Sequence, residues 1–215
     1  MIILDGKKLA EKKQNELRDI LATQPEKSLT VILVGDDKAS QTYVRNKEKA
    51  CERVGIKTNT IHIPDGISET DIIKTIKELN EDDSVHNILL QLPLPKGYDE
   101  HKIVNSIAPH KDVDAFHVSN VGNIMLGEYT FLPCTPAGVM KLLEYSGIDV
   151  AGKDCVVIGR SNIVGKPQAM LMLHSNATVQ ICHSKTKDLA KKTAAADILI
   201  VAIGRAKFVT ADMIK

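Results

Sequence analysis

The sequence predicts an α/β protein built as two three-layer α/β domains, the second a parallel sheet that stops short at its C-terminal end. Three observations carry that expectation. Short β-branched runs alternate with helical segments along the whole chain, the order that builds parallel sheets. The stretch Asp154–Pro167 reads as strand, glycine turn and helix start. Between the two series lies an irregular stretch, residues 106–136, punctuated by Gly122, Gly127, Pro133 and Pro136. Domain boundaries fall in such stretches, and the chain divides into residues 1–134 and 135–215.

In order, Asp5–Ala22 reads as a charged amphipathic helix and Leu29–Val34 as a buried strand. Lys38–Val54 is a second helix, Lys57–Ile63 a strand, Glu69–Asn80 a helix and His86–Gln91 a strand. The Leu92-Pro93-Leu94-Pro95 that follows can continue neither element. Thr135 is placed to cap a helix from about Pro136 to Tyr145. A strand around Val156–Ile158 then runs into Gly159, and a helix begins near Gly165. Ala177–Cys182 is the next strand, Lys187–Ala196 a helix, and Ile198–Ile203 a third strand, completing βαβαβ. A dinucleotide-binding domain usually has more strands, so the chain reads as ending early.

The glycine turn carries the first chemical signal. First-turn N–H groups and the helix dipole favour an anion such as a pyrophosphate. The spacing departs from G-x-G-x-x-G, since Ser161 takes the second place and Gly165 falls one position late. The following strand ends in His183-Ser184-Lys185, where an NAD site would place a carboxylate for the ribose hydroxyl. A hydroxyl and cations there, with Arg160 in the turn, suit a 2′-phosphate, because guanidinium forks match phosphate oxygens. The reading is a Rossmann-like NADP-binding domain. The bland alternative is a parallel α/β domain with a basic rim.

Bulk properties narrow the field. Among 215 residues, 28 Lys and Arg stand against 27 Asp and Glu, so nothing points to nucleic acid or an anionic membrane. No apolar run approaches the length of a spanning helix, and the N-terminus lacks a secretory pattern. Cys51, Cys134, Cys155 and Cys182 are widely spaced with no C-x-x-C, which suits reduced packing thiols in a cytoplasmic protein. No His, Cys and Asp cluster has metal-ligand spacing.

One lysine stands out of pattern. On the helix Lys38–Val54, Tyr43, Val44, Ala50, Cys51 and Val54 share one arc at helical spacing, and Lys47 falls in its middle. Such an ammonium either snorkels to solvent or sits in a partly dry cleft, where it can exchange a proton near neutral pH. Gln91 ends its strand where α/β sheets hold ligands, although a polar strand terminus is the ordinary reading. Asp112 and Asp114 are either solvated turn carboxylates or acceptors for the paired N–H donors of a flat heterocycle. His110 and His117 are assigned no chemistry.

These pieces together resemble the bifunctional methylenetetrahydrofolate dehydrogenase/cyclohydrolase family. The resemblance spans the chain through Val34-Gly35-Asp36 with Ala39-Ser40; Tyr43-Val44-Arg45-Asn46-Lys47; Gln91-Leu92-Pro93-Leu94-Pro95; Lys111-Asp112-Val113-Asp114-Ala115-Phe116-His117; Pro133-Cys134-Thr135-Pro136; and Gly159-Arg160-Ser161 through Ile163-Val164-Gly165 to Pro167. It implies a folate-binding catalytic domain in residues 1–134 and an NADP-binding domain in residues 135–215. Lys47 would be the catalytic lysine, Tyr43 would pack on and orient the folate, and Gln91 would hydrogen-bond the lysine. Leu90 and Leu92 would flank the substrate and Asp114 would hold the pterin edge. Gly159, Arg160, Ser161 and Ser184 match the family's NADP contacts. Two departures stand out: Ala115 replaces a usual glycine, and the family's further strand, Pro-Gly-Gly-Val-Gly-Pro loop and closing helix are not in this sequence.

The implied activity is NADP-dependent oxidation of 5,10-methylenetetrahydrofolate to the methenyl form, then its hydrolysis to 10-formyltetrahydrofolate, by a cytoplasmic homodimer needing no metal. Two alternatives stay open: a catalytically silent NADP- or folate-binding fragment, and another two-domain dehydrogenase of shikimate type. The second would need a serine or arginine cluster for a substrate carboxylate, and none is evident.

Overall fold

The computed structural model describes residues 3–215. They form two compact units, Asp5–Ser119 and Asn120–Lys215, the latter joined by Ile3 and Leu4.

The first unit opens with α1 (Gly6–Leu21), capped by Asp5, whose carboxylate accepts the Lys8 N–H at 3.0 Å. Then follow β1 (Ser28–Val34), α2 (Lys38–Val54), β2 (Lys57–Ile63), α3 (Glu69–Glu81), β3 (Asn87–Leu90) and α4 (Glu100–Val104). The strands are parallel in the order β2-β1-β3. Central β1 is buried on both faces, as a parallel strand covered by helices should be. Ile32 and Val34 pack with Ile72 and Ile76 of α3 and Ile103 of α4, whereas Val31 and Leu33 meet Val44 of α2. α2 starts and stops where its caps dictate: the Asp37 carboxylate accepts the Ser40 N–H at 2.7 Å, and Gly55 ends the helix in the left-handed region.

The second unit carries α6 (Cys134–Tyr145), β4 (Asp154–Ile158), α7 (Gly165–His174), β5 (Thr178–Cys182), α8 (Leu189–Ala194) and β6 (Ile198–Val201), preceded by α5 (Val118–Leu126), within which the two units part. Its strands are parallel in the order β5-β4-β6. Cys155 and Val157 pack with Leu143, Ala169 and Met172, while Val156 and Ile158 pack on the other face with Cys182 and Ala196. None of the four cysteines forms a disulfide, and burial pushes the Cys155 thiol up to about 11. Among the described residues no helix is long and apolar enough to cross a membrane, and no cluster of His, Cys, Asp and Glu could hold a metal ion.

Two sequence expectations are corrected. The stretch read as irregular contains α5, which buries only Asn120 and Ile124 and exposes Val118, Met125 and Leu126. With a glycine at its centre and no wide apolar stripe, it has no periodicity to read. Thr135 does not cap α6, which already begins at Cys134 after Pro133. The fixed φ of proline (−54° here) leads the chain into the helix without a side-chain cap. Most of α5, from Asn120, lies with the second unit, where His174 Nε2 donates to the Ile124 carbonyl at 2.8 Å.

Between α6 and α7, Gln168 is fully buried; its Nε2 lies 3.5 Å from Met140 Sδ, and no protein donor among the described residues reaches its Oε1. A buried unsatisfied amide oxygen costs about 1–3 kcal/mol. Gln168→Met, of similar shape, is therefore expected to stabilise the protein by about that amount in denaturant titration. No gain would mean that a buried water meets the oxygen.

Candidate active site

At the carboxyl end of β3, the Gln91 N–H continues the ladder by donating to the Ile32 carbonyl at 2.9 Å. Its side chain is 8 % exposed. Nε2 donates to the Leu92 carbonyl at 2.6 Å, and this turns Oε1 outward to accept from Lys47 Nζ at 3.0 Å. Neither end of the amide is left to chance, because each meets a partner that only one orientation satisfies. Leu90 is buried in the core and Leu92 packs partly on it, holding Gln91 from both sides. Lys47 is half-buried, so it neither snorkels freely nor lies in a sealed interior.

Tyr43, one helical turn earlier, is 63 % exposed, and Lys47 Nζ donates to Gln91 rather than to the Tyr43 hydroxyl. Its ring is therefore displayed as a surface. One turn later, burial and the Glu48 carboxylate push the half-buried Cys51 thiol up, while the Lys47 charge pulls it down. That thiol is poorly ionised and no nucleophile.

The structure separates the two turn aspartates. Asp112 is 2 % exposed and its Oδ2 accepts the His117 N–H at 2.8 Å, so it closes the turn. Asp114, on the same turn, is half-buried. The turn docks on the free edge of β3 through a parallel bridge between Ile88 and Asp112.

In the second unit the glycine turn is built by close approach. A Cβ on Gly159 would lie 2.4 Å from the Ala202 carbonyl oxygen, and one on Gly165 would lie 2.4 Å from the Gly159 oxygen. Only glycine fits at either place, because a side chain would meet the protein's own backbone. The expectation of open first-turn N–H groups is revised, since Ser161 Oγ accepts from the Val164 and Gly165 N–H groups, both at 3.2 Å. The serine fills the gap that its replacement of glycine creates, and its own O–H proton remains to be donated. Ile158 pairs with Cys182, so Arg160 and Ser184, each two residues further on, leave neighbouring strands along one rim. Both are exposed.

The family model for the tetrahydrofolate dehydrogenase/cyclohydrolase catalytic domain matches residues 4–114, and that for the same family's NAD(P)-binding domain matches residues 133–215. The chain belongs to the tetrahydrofolate dehydrogenase/cyclohydrolase family. It is 51 % identical to the bifunctional protein FolD of Listeria innocua over 217 residues, 99 % of this chain and 76 % of that protein. It is similar to the crystal structure of the bifunctional enzyme FolD of Campylobacter jejuni, with TM-score 0.96 and 50 % identity over 100 % of this chain and 78 % of that one. The FolD of Trypanosoma brucei, complexed with NADP cofactor and inhibitor, matches with TM-score 0.94 and 35 % identity over 100 % of this chain and 75 % of that one.

Ala115 has φ 56°, in the left-handed region that a glycine enters without strain, and its methyl is fully buried. The strain of about 1–2 kcal/mol is offset by the buried methyl at roughly 0.8 kcal/mol and by the lower backbone entropy of alanine, about 0.5–1 kcal/mol. Alanine is tolerated there.

Proposed function

We propose that the chain oxidises 5,10-methylenetetrahydrofolate with NADP and hydrolyses the methenyl product to 10-formyltetrahydrofolate. Residues 1–134 would carry the folate and residues 135–215 the dinucleotide, in a cytoplasmic homodimer. The observation that carries this reading is the Lys47–Gln91 hydrogen bond at the carboxyl end of β3, in a chain of this family.

Tyr43 offers its exposed ring to the flat pterin, and Asp114 accepts from the pterin's paired N–H groups. Gln91 Oε1 holds the Lys47 amine in place. On hydrolysis, water adds to the cationic methenyl carbon and the bond from that carbon to one ring nitrogen breaks; of the water's two protons, Lys47 Nζ passes one to that nitrogen and the other leaves to solvent with the positive charge. The glycine turn leads into the N-terminus of α7, where a pyrophosphate is favoured, with Arg160, Ser161 and Ser184 toward the anionic groups. NADP, when bound, supplies the hydride acceptor.

Incubation with methylenetetrahydrofolate and NADP tests the reading: methenyl absorbance should rise and then decay as hydrolysis proceeds. Binding of both ligands without any absorbance change would leave a silent binding protein instead. Substitution at Tyr43 tests the ring separately. Tyr43→Phe should leave the KM for folate near wild type, whereas Tyr43→Ala should raise it by about two- to tenfold, the worth of one aromatic stack. Equal effects of the two substitutions would remove the stacking role.

A further inference from the structure

The segment that presents Asp114 is anchored by a lysine that the proposed chemistry does not use. Lys111 is 7 % exposed, and its Nζ donates to the Leu79 carbonyl at 3.1 Å and the Asp82 carbonyl at 2.8 Å. These oxygens belong to the C-terminal end of α3, whose last carbonyls lack intrahelical partners and carry the negative end of the helix dipole. α3 supplies no basic residue of its own in its last turn. The same helix end holds the chain just upstream, where Asn80 Nδ2 donates to the Ser106 carbonyl at 2.7 Å and Asn80 Oδ1 accepts the Ala108 N–H at 2.9 Å.

The backbone of Lys111 is fixed at a second place. Its carbonyl accepts the Ile88 N–H at 2.7 Å, and the Val113 N–H donates to the Ile88 carbonyl at 3.4 Å. Lys111 thus ties the helix end to the edge of β3. Gln91 leaves the carboxyl end of that same strand, and Asp114 stands one residue beyond Val113.

We propose that Lys111 is a positioning residue, which sets Asp114 in register with Gln91 and Lys47 so that the folate is held for reaction. This rests on the reading of Asp114 as the carboxylate that holds the folate. A buried ammonium is a poor source of plain stability, because desolvation offsets its hydrogen bonds and an apolar residue of similar volume often does as well. What two directed hydrogen bonds supply, and an apolar chain does not, is a fixed geometry.

The test compares Lys111→Met, Lys111→Arg, Asp114→Asn and the double variant Lys111→Met with Asp114→Asn, each shown to be folded by circular dichroism. Lys111→Met should raise the KM for methylenetetrahydrofolate roughly tenfold, since small misplacements of a binding group are costly. Its kcat and its KM for NADP should change far less, and Lys111→Arg, which keeps directed donors, should recover most of the loss. The double variant should be no worse than Asp114→Asn alone, because the lysine acts through that carboxylate. A folded Lys111→Met with wild-type folate KM, or additive losses in the double variant, overturns the proposal. A wild-type KM for Asp114→Asn alone instead overturns the reading of Asp114 beneath it. Where Lys111→Met loses its fold, Lys111→Gln, which keeps N–H donors on a shorter arm, takes its place with the same expected rise in KM and the same additivity criterion.

Discussion

Lys47→Met is expected to slow hydrolysis of the methenyl folate by at least roughly 10², the usual scale for removal of an acid–base group. The fold should survive, because an unbranched apolar chain suits both the helix and the arc that Lys47 shares with Val44 and Cys51. One cost is legible in the structure. Gln91 Oε1 loses the donor it now has at 3.0 Å, and Gln91 is only 8 % exposed. A modest fall in stability, up to about 1–3 kcal/mol, should therefore accompany the kinetic loss. Dehydrogenase turnover should fall much less, since hydride transfer to the nicotinamide takes no proton from lysine. The two activities measured on one preparation give the decisive ratio. If the variant hydrolysed the methenyl folate at the wild-type rate, Lys47 would be only a tether for Gln91.

That lysine was visible in the sequence because it breaks a pattern: a charge at helical spacing within an apolar arc is an anomaly any helix shows. Gln91 was visible by position, at the end of a buried run stopped by Leu92-Pro93. α2 and β2 span the residues expected of them, since a carboxylate cap at Asp37 and a left-handed Gly55 mark the helix ends chemically. Where such signals fail, so did the reading. α5 carries its few buried side chains on a narrow line, and α6 begins without a side-chain cap. Two features of the site were illegible for another reason. Lys111 stands among Asp112, Asp114 and His110, which reads as a solvated turn; its burial follows from the distant end of α3. Ser161 looked like a flaw in a glycine fingerprint, yet it caps the turn through contacts three and four residues along.

Arg160→Ala is expected to weaken NADP binding about ten- to hundredfold while leaving NAD nearly unchanged. The two cofactors differ by the adenosine 2′-phosphate, and a charge-assisted hydrogen bond is worth about 1.5–3 kcal/mol, which is that range in affinity. Arg160 is exposed and leaves the end of β4 beside Ser184 at the end of β5, and residues 183–187 include no carboxylate to hold a ribose hydroxyl. The substitution is also a clean one. The turn keeps its shape through Gly159, Gly165 and the Ser161 hydroxyl, and the guanidinium takes no part in those contacts. Ser161→Ala is the contrasting variant: it frees the Val164 and Gly165 N–H groups and removes a donor, so it should disturb NADP and NAD alike. Titrating both cofactors against wild type, Arg160→Ala and Ser161→Ala separates charge recognition from turn geometry. A parallel loss of both cofactors in Arg160→Ala would show that the arginine shapes the turn rather than reading the phosphate. Unchanged NADP affinity would remove Arg160 from the site and leave Ser184 with Lys185 to account for any preference.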